Sequence, residues 1–131
     1  MAPTTDALMV HIIDDDESVR RGLSRLMRSV GIHSHAYDSS ESFLNQDYKN
    51  FYGCILIDIT MPGMNGLELA ARLKADGVVI PMIAISARDD DETTQLVRDL
   101  GVKFFLRKPV DDQALIDAIN WVTRKDNKDN F

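Results

Sequence analysis

Residues 54–66 have the sequence CILIDITMPGMNG, and this stretch decides the fold class of the chain. It begins with an apolar run rich in isoleucine, which indicates a short strand buried on both faces of a sheet. The run ends at the carboxylate of Asp58, and a loop containing Pro62, Gly63 and Gly66 follows. Asp58 therefore lies where a buried strand gives way to a loop. In an open α/β sheet, ligands and chemistry collect at that position.

Strand-like and helix-like segments alternate along the rest of the chain. The pattern predicts strands at 9–13, 32–37, 54–58, 80–85 and 103–106. It predicts helices at 17–30, 39–46, 65–75, 89–100 and 112–122. This alternation implies an α/β fold with a parallel sheet, covered by helices on both faces. We expect one domain at 9–123, an N-terminal lead at 1–8, and a polar tail or linker start at 124–131.

Composition and charge narrow the class of protein. The 131 residues suit a single domain, and 44% apolar residues can fill its core. No apolar run approaches the roughly 18 residues of a membrane span, and no signal peptide is expected at the N-terminus. The single cysteine, Cys54, lies in an apolar run, which favours a buried thiol and a cytoplasmic location. The net charge of −6 argues against direct binding to nucleic acid.

Four of the predicted strands end on polar side chains, and these ends define a candidate site. The groups are Asp14 with Asp15, Asp58, Ser86, and Arg107 with Lys108. Because parallel strands place their carboxyl ends at one edge of the sheet, we expect these groups to converge. Crowded carboxylates repel one another unless a cation intervenes, and their oxygens suit Mg²⁺ rather than zinc.

The same set of groups fits the transfer of a phosphoryl group. A carboxylate such as that of Asp58 can act as the nucleophile and form an aspartyl phosphate. Lys108 and Mg²⁺ would offset the charge on the phosphoryl oxygens. Ser86 would donate a hydrogen bond to one of those oxygens.

Four sequence blocks, in this order, resemble those of a known family. They are IIDDDESVR at 12–20, ILIDITMPGMNG at 55–66, IAISA at 83–87 and FFLRKP at 104–109. Together they resemble the receiver domain of two-component response regulators. The resemblance implies a flavodoxin-like (βα)5 fold, with a five-stranded parallel sheet in the order 2-1-3-4-5. It implies a phosphorylation-dependent signalling switch that supports only its own phosphorylation and dephosphorylation, rather than an enzyme that turns over a substrate.

The resemblance also implies a role for each residue of the candidate site. Asp58 would accept a phosphoryl group from a histidine kinase, while Lys108 and Ser86 contact that group. The cofactor Mg²⁺ would be held by Asp14, Asp15, Asp58 and the backbone carbonyl of Thr60. Ser86 and Phe105 would form the switch, and the resemblance suggests a cis peptide bond between Lys108 and Pro109.

The implied switch would act through one surface of the domain. That surface comprises the fourth predicted helix at 89–100, the fifth strand and the fifth helix. The fourth helix is the least apolar of the set, so we expect it to be the element that changes conformation. An effector domain, a separate protein or a second copy of the chain would then bind to the altered surface.

From the sequence alone, other interpretations of these residues remain open. Asp16 is expected to cap the first helix rather than to bind metal. A phosphatase resembling the haloacid dehalogenases would need a second Asp two residues after Asp58, where this chain has Thr60. A flavodoxin-like cofactor protein would need a hydroxyl-rich phosphate loop after the first strand, but residues 14–17 are acidic there and would repel a phosphate.

Overall fold

The central feature of the fold is a sheet of five parallel strands. The computed structural model describes residues 9–59, 61, 63–87, 95, 98–100 and 102–123. The strands are β1 Met9–Ile13, β2 His33–Tyr37, β3 Gly53–Asp58, β4 Met82–Ser86 and β5 Phe104–Arg107. They lie in the order β2-β1-β3-β4-β5, and each neighbouring pair is parallel. The predicted flavodoxin-like arrangement is therefore confirmed.

Helices follow the strands along the chain. They are α1 Glu17–Ser29, α2 Ser40–Leu44, α3 Gly66–Ala75 and a C-terminal helix, Asp112–Thr123, with a 3₁₀ turn at Tyr48–Asn50. Gln95, Arg98 and Asp99 are also helical, but most of the predicted helix at 89–100 lies outside the described residues. The predicted lead at 1–8 and tail at 124–131 lie outside them as well. Within the part of the chain that the structure describes, none of the helices has the length and hydrophobicity that crossing a membrane requires.

The central strand β3 is buried along its whole length, as its apolar sequence predicts. Because successive side chains alternate between faces, Leu56 joins an apolar layer with α1 and the C-terminal helix. Ile55 and Ile57 join a second layer with α2 and α3. Cys54 is also buried, and its burial raises the pKa of the thiol to about 12, which makes it an inert core group. Both faces of the sheet are therefore covered, and β3 holds Asp58 in a fixed position.

The boundaries of β4 and α2 differ from those that the sequence predicts. β4 begins at Met82 rather than Ile80, because Pro81 carries no N–H and cannot donate a bond to the ladder. α2 ends at Leu44 rather than Gln46, since the polar residues that follow offer no apolar side chain to anchor a further turn. β2 lies at the edge of the sheet, as its polar sequence predicts.

Candidate functional site

The register of the sheet brings the predicted polar strand ends to one edge. β1 and β3 are paired so that Asp14, directly after β1, lies beside Asp58 at the end of β3. β4 pairs with β3 and with β5, so that Ser86 ends β4 and Lys108 follows directly after β5. The convergence that the sequence predicts for these residues is therefore present in the structure.

Lys108 joins two buried carboxylates at this edge. Its Nζ donates to Asp58 Oδ2 at 2.9 Å and to Asp14 Oδ2 at 3.1 Å. Asp14 is 1% exposed and Asp58 is 5% exposed, so the ammonium offsets part of the cost of burying two like charges. The backbone N–H of Lys108 donates to the carbonyl of Ser86 at 2.8 Å, and the Lys108–Pro109 peptide bond is cis, as the resemblance suggested.

Burial and the neighbouring opposite charge have opposing effects on the pKa of Asp14 and on the pKa of Lys108. Burial raises the pKa of the Asp14 carboxyl, although the Asp16 N–H and the Lys108 ammonium oppose the rise. Burial alone would lower the pKa of Lys108, but its hydrogen bonds to Asp58 and Asp14 outweigh that effect and raise the pKa above its ordinary value. Lys108 is therefore a permanent cation at neutral pH.

Asp15 completes a cluster of carboxylates beside this lysine. One oxygen from each of Asp14, Asp15 and Asp58 lies within 4.8 Å of the others. Asp15 is exposed whereas the other two are buried, so the cluster opens to solvent on one side. Hard carboxylate oxygens with access to water are the donor set that Mg²⁺ prefers, so the residues fit that ion. Thr60, whose carbonyl the resemblance adds to the set, lies outside the described residues.

The turn after β1 is held by α1. The Asp16 N–H donates to Asp14 Oδ1 at 2.9 Å, and the Arg20 guanidinium donates to the Asp14 carbonyl at 2.8 Å. The Asp16 carboxylate accepts from the N–H groups of Ser18 and Val19 at 2.8 and 3.3 Å. Asp16 therefore caps α1, as predicted. No sequence pattern singles out Arg20, because its partner is a backbone carbonyl rather than a charged side chain.

The residues of the predicted switch lie on neighbouring strands. Ser86 is fully buried at the end of β4. Phe105 is half-buried in β5 and packs in a cluster with Ile59, the first residue after β3. Phe104 lies on the opposite face, where its ring meets that of Trp121 in the C-terminal helix with centroids 5.7 Å apart. The alternation predicted for the two phenylalanines is confirmed, and Phe105 is the one on the face of Ile59.

The loop between β3 and α3 begins directly after Asp58, and its described residues are held at both ends. At Gly66, an added Cβ would lie 2.7 Å from a side-chain carbon of Ile59, so the close approach of these two segments of the chain requires glycine. Asn65 and Glu68 form a capping box at the start of α3. Glu41 of α2 also contacts this loop. No sequence motif marks Glu41, because the contact joins segments that are far apart in the chain.

Comparison with known proteins identifies the family. A family model described as the response regulator receiver domain matches residues 10–120. This chain belongs to the response regulator receiver domain family. Receiver domains are signalling switches rather than enzymes that turn over a substrate, and they bind Mg²⁺ at an acidic pocket. The cluster of Asp14, Asp15 and Asp58 is the corresponding pocket of this receiver domain.

This chain is also similar to individual response regulators and related regulatory proteins. The transcriptional regulatory protein FixJ of Azorhizobium caulinodans is 38% identical over 114 residues, which make up 87% of this chain and 54% of FixJ. Nodulation protein W of Bradyrhizobium diazoefficiens is 34% identical over 120 residues, or 92% of this chain and 53% of that protein. Among solved structures, response regulator StyR has a TM-score of 0.86 at 36% identity and covers 95% of this chain and 63% of StyR. This receiver domain thus spans about half the length of the curated relatives it matches.

Proposed function

We propose that this receiver domain is the phosphorylation-dependent switch of a two-component system, in which Asp58 accepts a phosphoryl group from a histidine kinase. The contact of Lys108 with both Asp14 and Asp58 carries the proposal. It places a permanent cation beside the carboxylate that ends the fully buried central strand. The description of FixJ as a transcriptional regulatory protein supports a regulatory output.

Asp58 is the nucleophile in the proposed reaction. One of its carboxylate oxygens bonds to phosphorus while the bond from phosphorus to the kinase's histidine nitrogen breaks and leaves its electron pair on that nitrogen. Lys108, whose Nζ is 2.9 Å from Asp58 Oδ2, offsets negative charge on the transferred group. Ser86 donates its hydroxyl hydrogen to a phosphoryl oxygen. Attack by water on phosphorus later breaks the bond between phosphorus and the Asp58 oxygen, which releases inorganic phosphate and restores the carboxylate, so the domain supports its own dephosphorylation.

The proposed metal site uses the same acidic edge. Asp14, Asp15 and Asp58 would hold Mg²⁺ together with the backbone carbonyl of Thr60. When bound, the ion neutralises carboxylate charge and charge on the phosphoryl oxygens. Because the carboxylates otherwise repel one another and any incoming anion, we propose that phosphorylation of Asp58 depends on a divalent cation.

The proposed output is a change of surface shape around β5. Movement of Ser86 toward the phosphoryl group would vacate space that Phe105 fills, and the surface formed by residues 89–107 and the C-terminal helix would change. A histidine kinase is the proposed upstream partner, in the cytoplasm. An effector domain, a partner protein or a second copy of the chain, as a homodimer through this surface, would bind the altered form.

Intact-protein mass spectrometry tests the proposed phosphoacceptor. Treatment with acetyl phosphate and Mg²⁺ is expected to add one phosphoryl group to the wild type. No phosphoryl group is expected on Asp58→Asn, or on the wild type when EDTA replaces Mg²⁺. The proposal is wrong if Asp58→Asn gains the same phosphoryl group. Circular dichroism of Asp58→Asn, matched to the wild type, shows that the variant is folded.

A further inference from the structure

We propose that Arg20 is a positioning residue that fixes the peptide unit between Asp14 and Asp15 and thereby strengthens the binding of Mg²⁺ to the acidic cluster. The inference rests on the proposed function, because it concerns the same metal site. Arg20 lies in the first sequence block, but the family resemblance gives it no role.

The guanidinium of Arg20 contacts the backbone of the cluster directly. Its Nη1 donates to the carbonyl oxygen of Asp14 at 2.8 Å. That carbonyl belongs to the planar peptide unit that joins Asp14 to Asp15. Both residues contribute a carboxylate oxygen to the cluster, in which the oxygens lie within 4.8 Å of one another. A change in the tilt of this peptide unit would therefore move one proposed metal ligand relative to the other.

The carboxylates of Asp14 and Asp15 differ in how they are held. Asp14 is 1% exposed, and its two carboxylate oxygens accept from the Asp16 N–H at 2.9 Å and from Lys108 Nζ at 3.1 Å. Its own N–H donates to the Tyr37 carbonyl at 3.2 Å. Asp15 is exposed, and within the described part of the chain no group forms a hydrogen bond with its carboxylate. The position of the Asp15 carboxylate thus depends on the backbone that carries it.

Two hydrogen bonds restrain that backbone, one on each side of Asp15. The peptide unit before Asp15 is held through its carbonyl by Arg20, and the unit after it is held through the Asp16 N–H by Asp14 Oδ1. The second bond forms within the turn itself, whereas the first joins the turn to α1. Without Arg20, the peptide unit before Asp15 would lose this hydrogen bond and the turn could adopt more orientations. Metal affinity falls when the groups that orient a ligand are removed.

Helix α1 holds Arg20 in place. The helix is capped by Asp16, and the Arg20 N–H donates to the Asp16 carbonyl at 3.0 Å. Met27 of the same helix is fully buried, and Leu23 packs against the same apolar layer. Arg20 is itself half-buried, and its planar guanidinium loses little side-chain freedom for each hydrogen bond that it forms. The contact therefore fixes the turn relative to a helix that is packed on the core.

The positive charge of Arg20 would affect Mg²⁺ in the opposite direction. A cation beside the cluster repels a divalent cation, so removal of the charge alone would tighten metal binding. Loss of positioning would weaken metal binding instead. The sign of the change in affinity therefore separates the two roles.

Three variants measure this sign. Arg20→Met and Arg20→Gln both remove the charge and the contact with the Asp14 carbonyl, and both introduce residues whose helix propensity is close to that of arginine. Arg21→Met is the matched control, because it removes the same charge at the next position of the helix, where Arg21 is exposed and pairs with Glu17 at 2.7 Å.

Each protein is measured for Mg²⁺ affinity by calorimetry and for the amide chemical shift of Asp15 without Mg²⁺. The rate of phosphorylation by acetyl phosphate is recorded as a function of Mg²⁺ concentration. Circular dichroism melts without Mg²⁺ show that each variant is folded at the temperature of the measurements.

Arg20→Met and Arg20→Gln are expected to weaken Mg²⁺ binding by about three- to tenfold, with a changed Asp15 amide shift. The Mg²⁺ concentration that gives half the maximal phosphorylation rate should rise by the same factor, while the rate at saturating Mg²⁺ stays within about twofold of the wild type. Arg21→Met is expected to stay within about twofold of the wild type in affinity and rate.

Unchanged or tighter Mg²⁺ binding in the Arg20 variants would show that Arg20 does not position the turn and would overturn the inference. Equal weakening in Arg21→Met would also overturn it, because that variant leaves the contact with Asp14 intact. A wild type that binds Mg²⁺ but is never phosphorylated on Asp58 would instead refute the proposed function, while the affinity and the Asp15 shift still decide the role of Arg20.

Discussion

Outside the acidic cluster, β1 contains a buried histidine, His11. It is 3% exposed, and its ring stacks on that of Phe51 with centroids 4.4 Å apart. Its Nδ1 lies 3.2 Å from the Tyr37 hydroxyl, and its Nε2 has no hydrogen-bond partner among the described residues. Burial, helped by the nearby charge of His35, lowers the pKa of His11 from 6.5 to about 4. His11 lies in the strand that the sequence predicts at 9–13, but its stacking on Phe51 depends on the fold and could not be predicted from the sequence.

We predict that His11 makes the fold less stable at mildly acidic pH. The unfolded chain takes up a proton below pH 6.5, whereas the folded chain keeps the ring neutral until about pH 4. The stability that the neutral ring provides is therefore complete above pH 6.5 and is lost as the pH falls. Between about pH 7.5 and pH 5, the loss from this group is about 2 kcal/mol.

Urea unfolding of the wild type and His11→Phe at these two pH values measures the effect. His11→Phe keeps an aromatic ring beside Phe51 but removes the titrating group, so its free energy of unfolding is expected to fall by about 2 kcal/mol less than that of the wild type. If both proteins lose the same free energy over this range, groups other than His11 cause the acid sensitivity.

At the start of α1, the adjacent residues Asp15 and Asp16 have different roles. The carboxylate of Asp16 accepts backbone N–H groups of the helix, whereas Asp15 is exposed and shares the cluster with Asp14 and Asp58. Hydrogen bonds from Ser18 and Val19 lower the pKa of Asp16, as expected for a cap that stays ionised. The cap belongs to the helix and Asp15 to the proposed metal site, although the two residues are neighbours in sequence.

We predict that alanine substitutions at these two positions change different quantities, the stability of the fold at Asp16 and the response to Mg²⁺ at Asp15. Asp16→Ala should lower the free energy of unfolding because the cap is lost, and it should keep the rise in melting temperature that Mg²⁺ causes. Asp15→Ala should abolish that rise, which corresponds to about 2.7 kcal/mol in the wild type at 100 times the Kd. Calorimetric melts with and without Mg²⁺ measure both quantities. A Mg²⁺-dependent rise that persists in Asp15→Ala would remove Asp15 from the site.

The sequence predicted strands and helix starts well where its pattern of apolar and capping residues was strong. The apolar run before Asp58, rich in isoleucine and bounded by glycine and proline, indicated a buried strand between covered faces, and Asp16 could be identified as a cap from its type and position. The end of α2 was less predictable, since it depends on where burial against the sheet stops rather than on a local breaker such as glycine. The contact of Glu41 with the β3–α3 loop could not be predicted, because it depends on how α2 packs beside β3.

At the scale of the whole molecule, the parallel sheet converts separate strand ends into one site. The order of the strands and their pairing bring Asp14, Asp58 and Lys108 within hydrogen-bond distance. The sequence could predict that these groups share an edge, because all parallel strands end there. It could not predict that one ammonium would contact both buried carboxylates, since that contact depends on register and on the path of the chain after β5.

The sheet also offers a path from the site to the surface. Ser86 is buried at the end of β4, and Phe105 follows on the neighbouring strand, half-buried. Because protein interiors are close-packed, the proposed inward movement of Ser86 would have to be matched by a neighbouring side chain, and the half-buried Phe105 is the one proposed. On the opposite face of β5, Phe104 contacts the partly exposed Trp121, so displacement of the strand would reach the C-terminal helix.

We predict that a phosphoryl mimic at Asp58 changes the environment of β5 and the C-terminal helix more than that of α2. The size of the change is limited by the difference in affinity of the mimic for the two conformations. Backbone amide shifts, recorded with beryllofluoride and Mg²⁺, are expected to change strongly at Ser86, at 104–107 and at Trp121, and weakly at Phe43. The Asp58→Asn variant is the control and should show no such changes. Strong shifts throughout α2 with unchanged shifts at 104–107 would contradict transmission through β5, even if Asp58 is the phosphoacceptor.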